Sequence, residues 1–309
     1  MNQDALKKEQ YIKMAGSAEQ RVRLYHSKYA GSGLLKKASR LLKYRTRYMN
    51  YLLSRIRGRQ KNVNVKTFWG RNYILPLPDW DSLFPYYFGT LGLEEQPLIK
   101  FLIRNIKKDT IFFDLGANYG FYSALVSEFL ETGQVHAFEP NPVTFSYLKM
   151  SLNGVEKVIL NQLAISNEEK RISFYEPSGK YHSGGCTTIY PLAIKYFEQY
   201  REIHVDSVTL DDYTKIHPLP SIIKMDMEGG EFNAIKGGVE TIRKCHPIIL
   251  LEVWAGERGE EFSMDAVQKL YELDYKSYRL EEDGSLTFFP KVTVRWDHTG
   301  SDTLNFVFM

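Results

Sequence analysis

Cysteine is nearly absent from this sequence, and that absence excludes several classes of protein at once. Cys186 and Cys245 are the only two in 309 residues, far apart and without metal-ligand spacing. A disulfide framework and a cysteine-based zinc site are therefore excluded, and a reducing compartment is expected. Long apolar runs are missing too: no stretch of about 18 apolar residues is available to cross a bilayer. The N-terminus lacks the basic start, apolar block and small-residue cleavage site of a secretory leader. The expected location is thus the cytoplasm, peripheral at most to the inner face of a membrane. No internal repeat or low-complexity tract occurs.

Acidic residues are scarce in one region only. Residues 1–66 hold seventeen Lys/Arg against three Asp/Glu, whereas the remainder holds twenty-three against thirty-four. A basic arm thus precedes an acidic body. Leu34, Leu35, Ala38, Leu41, Leu42 and Tyr48 recur at helical spacing with cations between them, which reads as a basic amphipathic helix. It could pack on the body or a second copy, lie on an anionic membrane, or meet nucleic acid. Residues 1–57 read as helical, with breaks near Gly16 and Gly31-Ser-Gly33. The expected division is an arm over 1–60 and a catalytic domain over 61–309.

The body alternates strands and helices. A strand pair is expected at 63–69 and 73–77, followed by an aromatic connector with Trp69, Trp80, Phe84, Tyr86, Tyr87 and Phe88. Those aromatics suit either core packing or a platform for a ring. Strands at 110–114, 134–139, 158–165, 221–226 and 247–253 then alternate with helices, before closing strands at 275–280 and 303–308. Such alternation predicts an α/β fold with a mostly parallel sheet covered on both faces.

In such a sheet a ligand lies beyond the carboxyl ends of the strands, where the strand order reverses. The first strand ends at Asp114, and Leu115 to Gly120 turn into a helix. Gly116 permits a sharp turn and Gly120 a close contact at the helix start. Glu139 ends the next strand, where an acid can grip both hydroxyls of a ribose. A nicotinamide dinucleotide would need a second and third glycine for its pyrophosphate; Asn118 and Phe121 stand there instead. A ribose acid without a phosphate cradle favours S-adenosylmethionine, which carries no phosphate.

Several stretches are similar to motifs of the FkbM family of methyltransferases. They are Phe113-Asp-Leu-Gly-Ala-Asn-Tyr-Gly-Phe-Tyr-Ser123, His136-Ala-Phe-Glu-Pro-Asn-Pro142, Leu163-Ala-Ile-Ser166, Val208-Thr-Leu-Asp-Asp212 and Ile223-Lys-Met-Asp-Met-Glu-Gly-Gly-Glu231. Their order agrees as well, and the resemblance covers roughly residues 70–308. It implies a class I, Rossmann-like methyltransferase sheet of seven strands, the last antiparallel. It also implies O-methylation of a sugar hydroxyl in a polysaccharide, glycolipid or glycosylated metabolite. Asp114, Gly116, Asn118, Gly120, Glu139, Asn141, Ala164 and Asp226 are the expected cofactor-binding residues.

Transfer of a methyl group to an alcohol needs alignment and a base. Glu228 is the first candidate for that base, Glu252 the second and His182 the third. Glu252 should lie beside Asp226 at one sheet edge. Those two carboxylates could chelate Mg²⁺, but two hard ligands do not define a site and no metal is assigned. Glu231 is expected to cap a helix, and Lys224 to pair with an acid. The rival readings are an RNA methyltransferase using the arm, and an inactive binding module. The acidic body argues against a nucleic-acid partner, and the complete cofactor loop against the module. An oligomer is compatible with all three.

Overall fold

A computed structural model describes residues 3–28, 44–57, 60–177, 186, 188, 199–254, 260–292 and 303–309. The chain begins with two helices, α1 (Gln3–Lys28) and α2 (Arg45–Arg57), and an antiparallel pair, β1 (Lys61–Lys66) and β2 (Asn72–Leu77). Helix α1 runs straight through Gly16, where a break was expected; a helix already held by its neighbours tolerates the small cost of one glycine. Its Ala15, Ala18 and Val22 are fully buried, and its Glu19 meets Lys100 at 2.7 Å. Most of the expected amphipathic helix at 34–48 lies outside the described residues.

Short helix α3 (Leu83–Phe88) and helix α4 (Gln96–Asn105) lead into the main sheet. Next come β3 (Ile111–Leu115), α5 (Phe121–Ser127), β4 (Gln134–Phe138), α6 (Pro142–Ser151) and β5 (Val158–Asn161). A side sheet follows, made of β6 (Ala164–Ile165), β7 (Lys170–Pro177) and β8 (Tyr200–Val208) in the order β6-β8-β7. The strand expected over 158–165 is thus split: Val158–Asn161 stays in the main sheet and Ala164–Ile165 pairs with β8. The chain then returns through α7 (Leu210–Tyr213), β9 (Ile222–Met225), α8 (Glu231–Lys236), α9 (Val239–Cys245) and β10 (Ile248–Trp254). It ends with α10 (Glu260–Glu272), β11 (Ser277–Leu280), β12 (Leu286–Phe288) and β13 (Thr303–Phe308).

Among the described residues the main sheet has eight strands rather than seven, in the order β12-β11-β13-β10-β9-β3-β4-β5. The additional strand, β12, is three residues that fold back on the edge strand β11 as a hairpin. Strands β5, β4, β3, β9 and β10 are parallel, and β13 lies antiparallel between β10 and β11. The strand order reverses at β3: the chain first builds outward through β4 and β5, then returns to the other side of β3 as β9. A crevice opens at such a reversal, at the carboxyl ends of the strands.

Both faces of the sheet are covered, as side-chain alternation along each strand requires. Phe112, Ile222 and Leu250 face a core shared with α1, α4, α5 and α6, whereas Phe113, Ile223 and Leu251 face one shared with α7, α8, α9 and α10.

Candidate active site

The turn after β3 is shaped by its neighbour across the sheet. Gly116 has φ +77°, and a Cβ there would lie 1.9 Å from the carbonyl oxygen of Asp226. The turn can lie against the end of β9 only because that atom is missing. Its amide and that of Ala117 donate to the Phe138 carbonyl at 3.1 and 2.9 Å, tying the turn to the end of β4. Gly120, at φ +87°, starts α5 against Leu148 of α6 and Leu152 just beyond it.

Glu139 stands one residue beyond β4, buried, with both oxygens occupied. Oε2 accepts from the Asn118 amide and Oε1 from the Asn141 amide, each at 3.0 Å. Burial pushes its pKa up to about 7, against the pull of those two amides. Asn141 in turn caps α6, its Oδ1 accepting from Val143 and Thr144, while its Nδ2 donates to Glu176 at 2.6 Å.

Two cavities meet over this turn. The first, about 950 Å³, is lined by Gly116, Asn118, Glu139, Ala164, Asp226, Glu228 and Glu252, with an apolar wall of Phe138, Leu163, Ile165 and Phe174. The second, about 810 Å³, is lined by Tyr73, Trp80, Phe84, Tyr119, Tyr122, Glu94, Glu95 and Lys224. Asp81, Gly116, Asn118 and Asp226 belong to both. Lys224 is the one Lys or Arg among the described residues lining either.

This concentration of acid sets the protonation states. Lys224 Nζ lies 2.9 Å from Asp226 and 4.0 Å from Asp114. Burial opposes the Lys224 charge, but the two carboxylates hold its pKa above the ordinary value. Burial also opposes ionisation of Asp226, yet Lys224 and a hydrogen bond from Glu252 keep it below the usual carboxylate range. Glu252 is driven well up by burial and by Asp226, Glu228 and Glu95, and it accepts from the Trp254 indole at 3.1 Å. Of this pair, Glu252 is the one whose surroundings favour the protonated form. Glu95 is raised to about 7, chiefly by burial, and accepts from the Tyr122 hydroxyl.

Of the expected cofactor residues, Gly116, Asn118, Glu139, Ala164 and Asp226 line the first cavity together with the two base candidates Glu228 and Glu252. Asp114, Gly120 and Asn141 lie behind it. Asp114 accepts from Ser123 at 2.6 Å and faces Lys224, so it braces the turn from beneath. His182 lies outside the described residues. Lys224 pairs with acids as expected, and Glu231 accepts from the Met227 amide at 2.7 Å, reaching back over the start of α8. Asp81 and Glu95 were not singled out from the sequence. They stand in the connector between β2 and α4, where only the chain's return over the site brings them to it.

The reversal at β3, the acid after β4 and the antiparallel β13 define the class I methyltransferase architecture. The methyltransferase FkbM domain matches residues 114–277, more than half of the chain, and the chain belongs to that family. It is 28% identical over 170 residues to the hexuronic acid methyltransferase AglP of Haloferax volcanii, across 52% of this chain and 63% of that protein. It is 27% identical over 148 residues to the 2-O-methyltransferase NoeI of Sinorhizobium fredii, across 45% and 61% respectively. Both matches therefore span less than two thirds of the relative. A solved structure of methyltransferase FkbM from Methylobacillus flagellatus aligns with a TM-score of 0.40 at 18% identity, over 66% of this chain and 44% of that one.

Proposed function

We propose that this chain is an S-adenosylmethionine-dependent O-methyltransferase acting on a hydroxyl of a sugar. The acceptor sugar would belong to a polysaccharide, a glycolipid or a glycosylated metabolite. The observation that carries the cofactor is Glu139, a buried carboxylate fixed by two backbone amides at the mouth of a cavity. Each of its oxygens keeps a lone pair that can accept from a ribose hydroxyl. Leu163, Ala164, Ile165 and Phe174 supply the apolar wall that a flat base needs. One buried acceptor lining both cavities, Asn118 Oδ1, has no hydrogen-bond partner and suits an ammonium group. Surplus negative charge in the cavities favours a ligand carrying sulfonium and ammonium charges. Gly116, Asn118, Glu139, Ala164 and Asp226 would hold this cofactor, which supplies an electrophilic methyl group when bound.

Glu228 is the base this geometry favours. It lines the cavity beside Asp226, and its φ of +53° is rare for a residue with a long side chain. Asp226 is committed to Lys224, and burial with its acidic neighbours draws Glu252 toward its protonated form, which suits both less well to take a proton from an alcohol. Trp80, Phe84 and Tyr119, with the carboxyl groups of Asp81, Glu94 and Glu95, give the second cavity aromatic faces and hydroxyl acceptors. Such a lining fits a sugar ring. The names of the two relatives, one acting on a hexuronic acid and one a 2-O-methyltransferase, agree with this acceptor class.

The experiment offers methyl glycosides of neutral hexoses and hexuronic acids together with S-adenosylmethionine, and follows products by mass spectrometry. A gain of one methylene, retained as a methyl ether after glycoside cleavage, supports the reading. Methylation of RNA, or of a protein side chain, with no sugar product would overturn it.

A further inference from the structure

Helix α2 leaves three of its apolar side chains at the surface, while Tyr51 packs against the core. Met49 and Leu53 are each 38% exposed and Ile56 is 79% exposed. At 3.6 residues per turn they fall within about 60° of one another, one stripe along the helix. Arg45 is exposed one turn before Met49, and Arg55 is exposed beside the stripe. The opposite face is seated on the body. Ser54 is buried, Asn50 reaches the Tyr86 hydroxyl at 3.4 Å, and Arg47 donates to the Tyr87 carbonyl. The helix is thus anchored with its apolar stripe outward, the reverse of α1, which buries Ala15, Ala18 and Val22.

Charge in this part of the chain has one sign. Between residues 20 and 78 there are fifteen Lys or Arg and no Asp or Glu. A second copy docking through the same stripe would bring two such cationic surfaces together. A nucleic acid would use the cations but would leave the aliphatic stripe without a purpose. An anionic bilayer uses both, because side chains such as Leu and Ile enter the acyl boundary while guanidinium groups meet the headgroup phosphates.

We propose that the exposed face of α2, with Met49, Leu53 and Ile56 at its centre and Arg45 and Arg55 around it, docks this protein on an anionic lipid surface. The stripe lies close to the second cavity. Asn50 and Arg47 touch Tyr86 and Tyr87 of α3, whose Phe84 lines that cavity beside Trp80, itself 67% exposed. A docked molecule would hold this aromatic opening near the membrane, where a lipid-linked acceptor is within reach. The docking itself does not depend on the reaction proposed above.

The full chain is sedimented with vesicles of phosphatidylcholine containing phosphatidylglycerol, and with phosphatidylcholine alone. The wild type should bind the anionic vesicles at least about tenfold more strongly, with binding weakened by salt. Leu53→Gln with Ile56→Gln keeps good helix formers at exposed positions, so its thermal transition should match the wild type while vesicle binding falls by about tenfold. Arg45→Gln with Arg55→Gln should remove the preference for anionic over neutral vesicles. Wild-type binding by the Leu53/Ile56 variant would overturn the proposal, as would a wild type that stays in solution. A stripe-dependent dimer in gel filtration, or stripe-independent RNA binding without vesicle binding, would assign the face to another partner. Calorimetry with S-adenosylmethionine on the same variants separates this outcome from any failure of the proposed activity.

Discussion

Gly116 has no replacement, because its backbone conformation and its contact with Asp226 each exclude a side chain. Gly116→Ala should cost about 1–3 kcal/mol from the positive φ alone, with a further penalty as β3 and β9 separate at their ends. Chemical denaturation would measure the loss, and cofactor affinity should fall with it. Lys224 poses a different problem. It is the cation between Asp114 and Asp226, so Lys224→Met leaves two carboxylates without a counter-charge. A loss of about 3–5 kcal/mol is expected, read as a lower denaturation midpoint. Glu228→Gln should behave unlike both. Stability and cofactor affinity should stay near wild type while the methyl-transfer rate drops by about 10²–10⁴. An unchanged rate would pass the role of base to His182 or Glu252.

The same residues act through elements. Asn141 caps α6 through its side chain and holds Glu139 through its backbone amide, so a substitution removes the cap directly and reaches Glu139 only by loosening the turn. Asn141→Ala removes two hydrogen bonds to the first turn, at about 1 kcal/mol, and takes away the amide donor to Glu176 Oε2, leaving that residue held by Arg201. Asn141→Ser keeps an uncharged capping oxygen and should recover part of the stability. A cofactor affinity that stays at the wild-type level in the alanine variant would mean that the turn holds Glu139 without the cap. At this scale the sequence was legible wherever chemistry is local. The turn after β3 showed itself through Gly116 and Gly120, the ribose acid through its place after a strand, and the role of Glu231 through its position at a helix start. What depends on long-range return of the chain was not legible. Asp81 and Glu95 sit in an aromatic connector with no periodic signal, and the side sheet takes Ala164 and Ile165 away from a strand that sequence alone runs together. Asp114, Gly120 and Asn141 were expected among the cofactor residues, but spacing could not tell a residue that lines a cavity from one directly behind it.

For the whole molecule, the gathered carboxyl groups imply a definite pH response. Glu95, Glu139 and Glu231 are each raised by burial from 4.5 to about 7 in the folded protein. Between those values the folded state binds more protons than the unfolded state, so stability falls as pH rises through this window and levels off above it. Thermal melting of the ligand-free protein across the same window should show a declining transition temperature. A rising one would mean that these groups are not buried together. A cationic cofactor offsets this repulsion, so added S-adenosylmethionine should raise the transition temperature most above pH 7.

Binding of S-adenosylmethionine by Glu139 and the turn after β3 is read by isothermal titration of the wild type and Glu139→Ala. The wild type should bind one equivalent per chain, and the variant should bind at least about tenfold more weakly, a loss of about 1.4 kcal/mol or more. Equal affinity in the two proteins, or no binding by the wild type, would contradict the account.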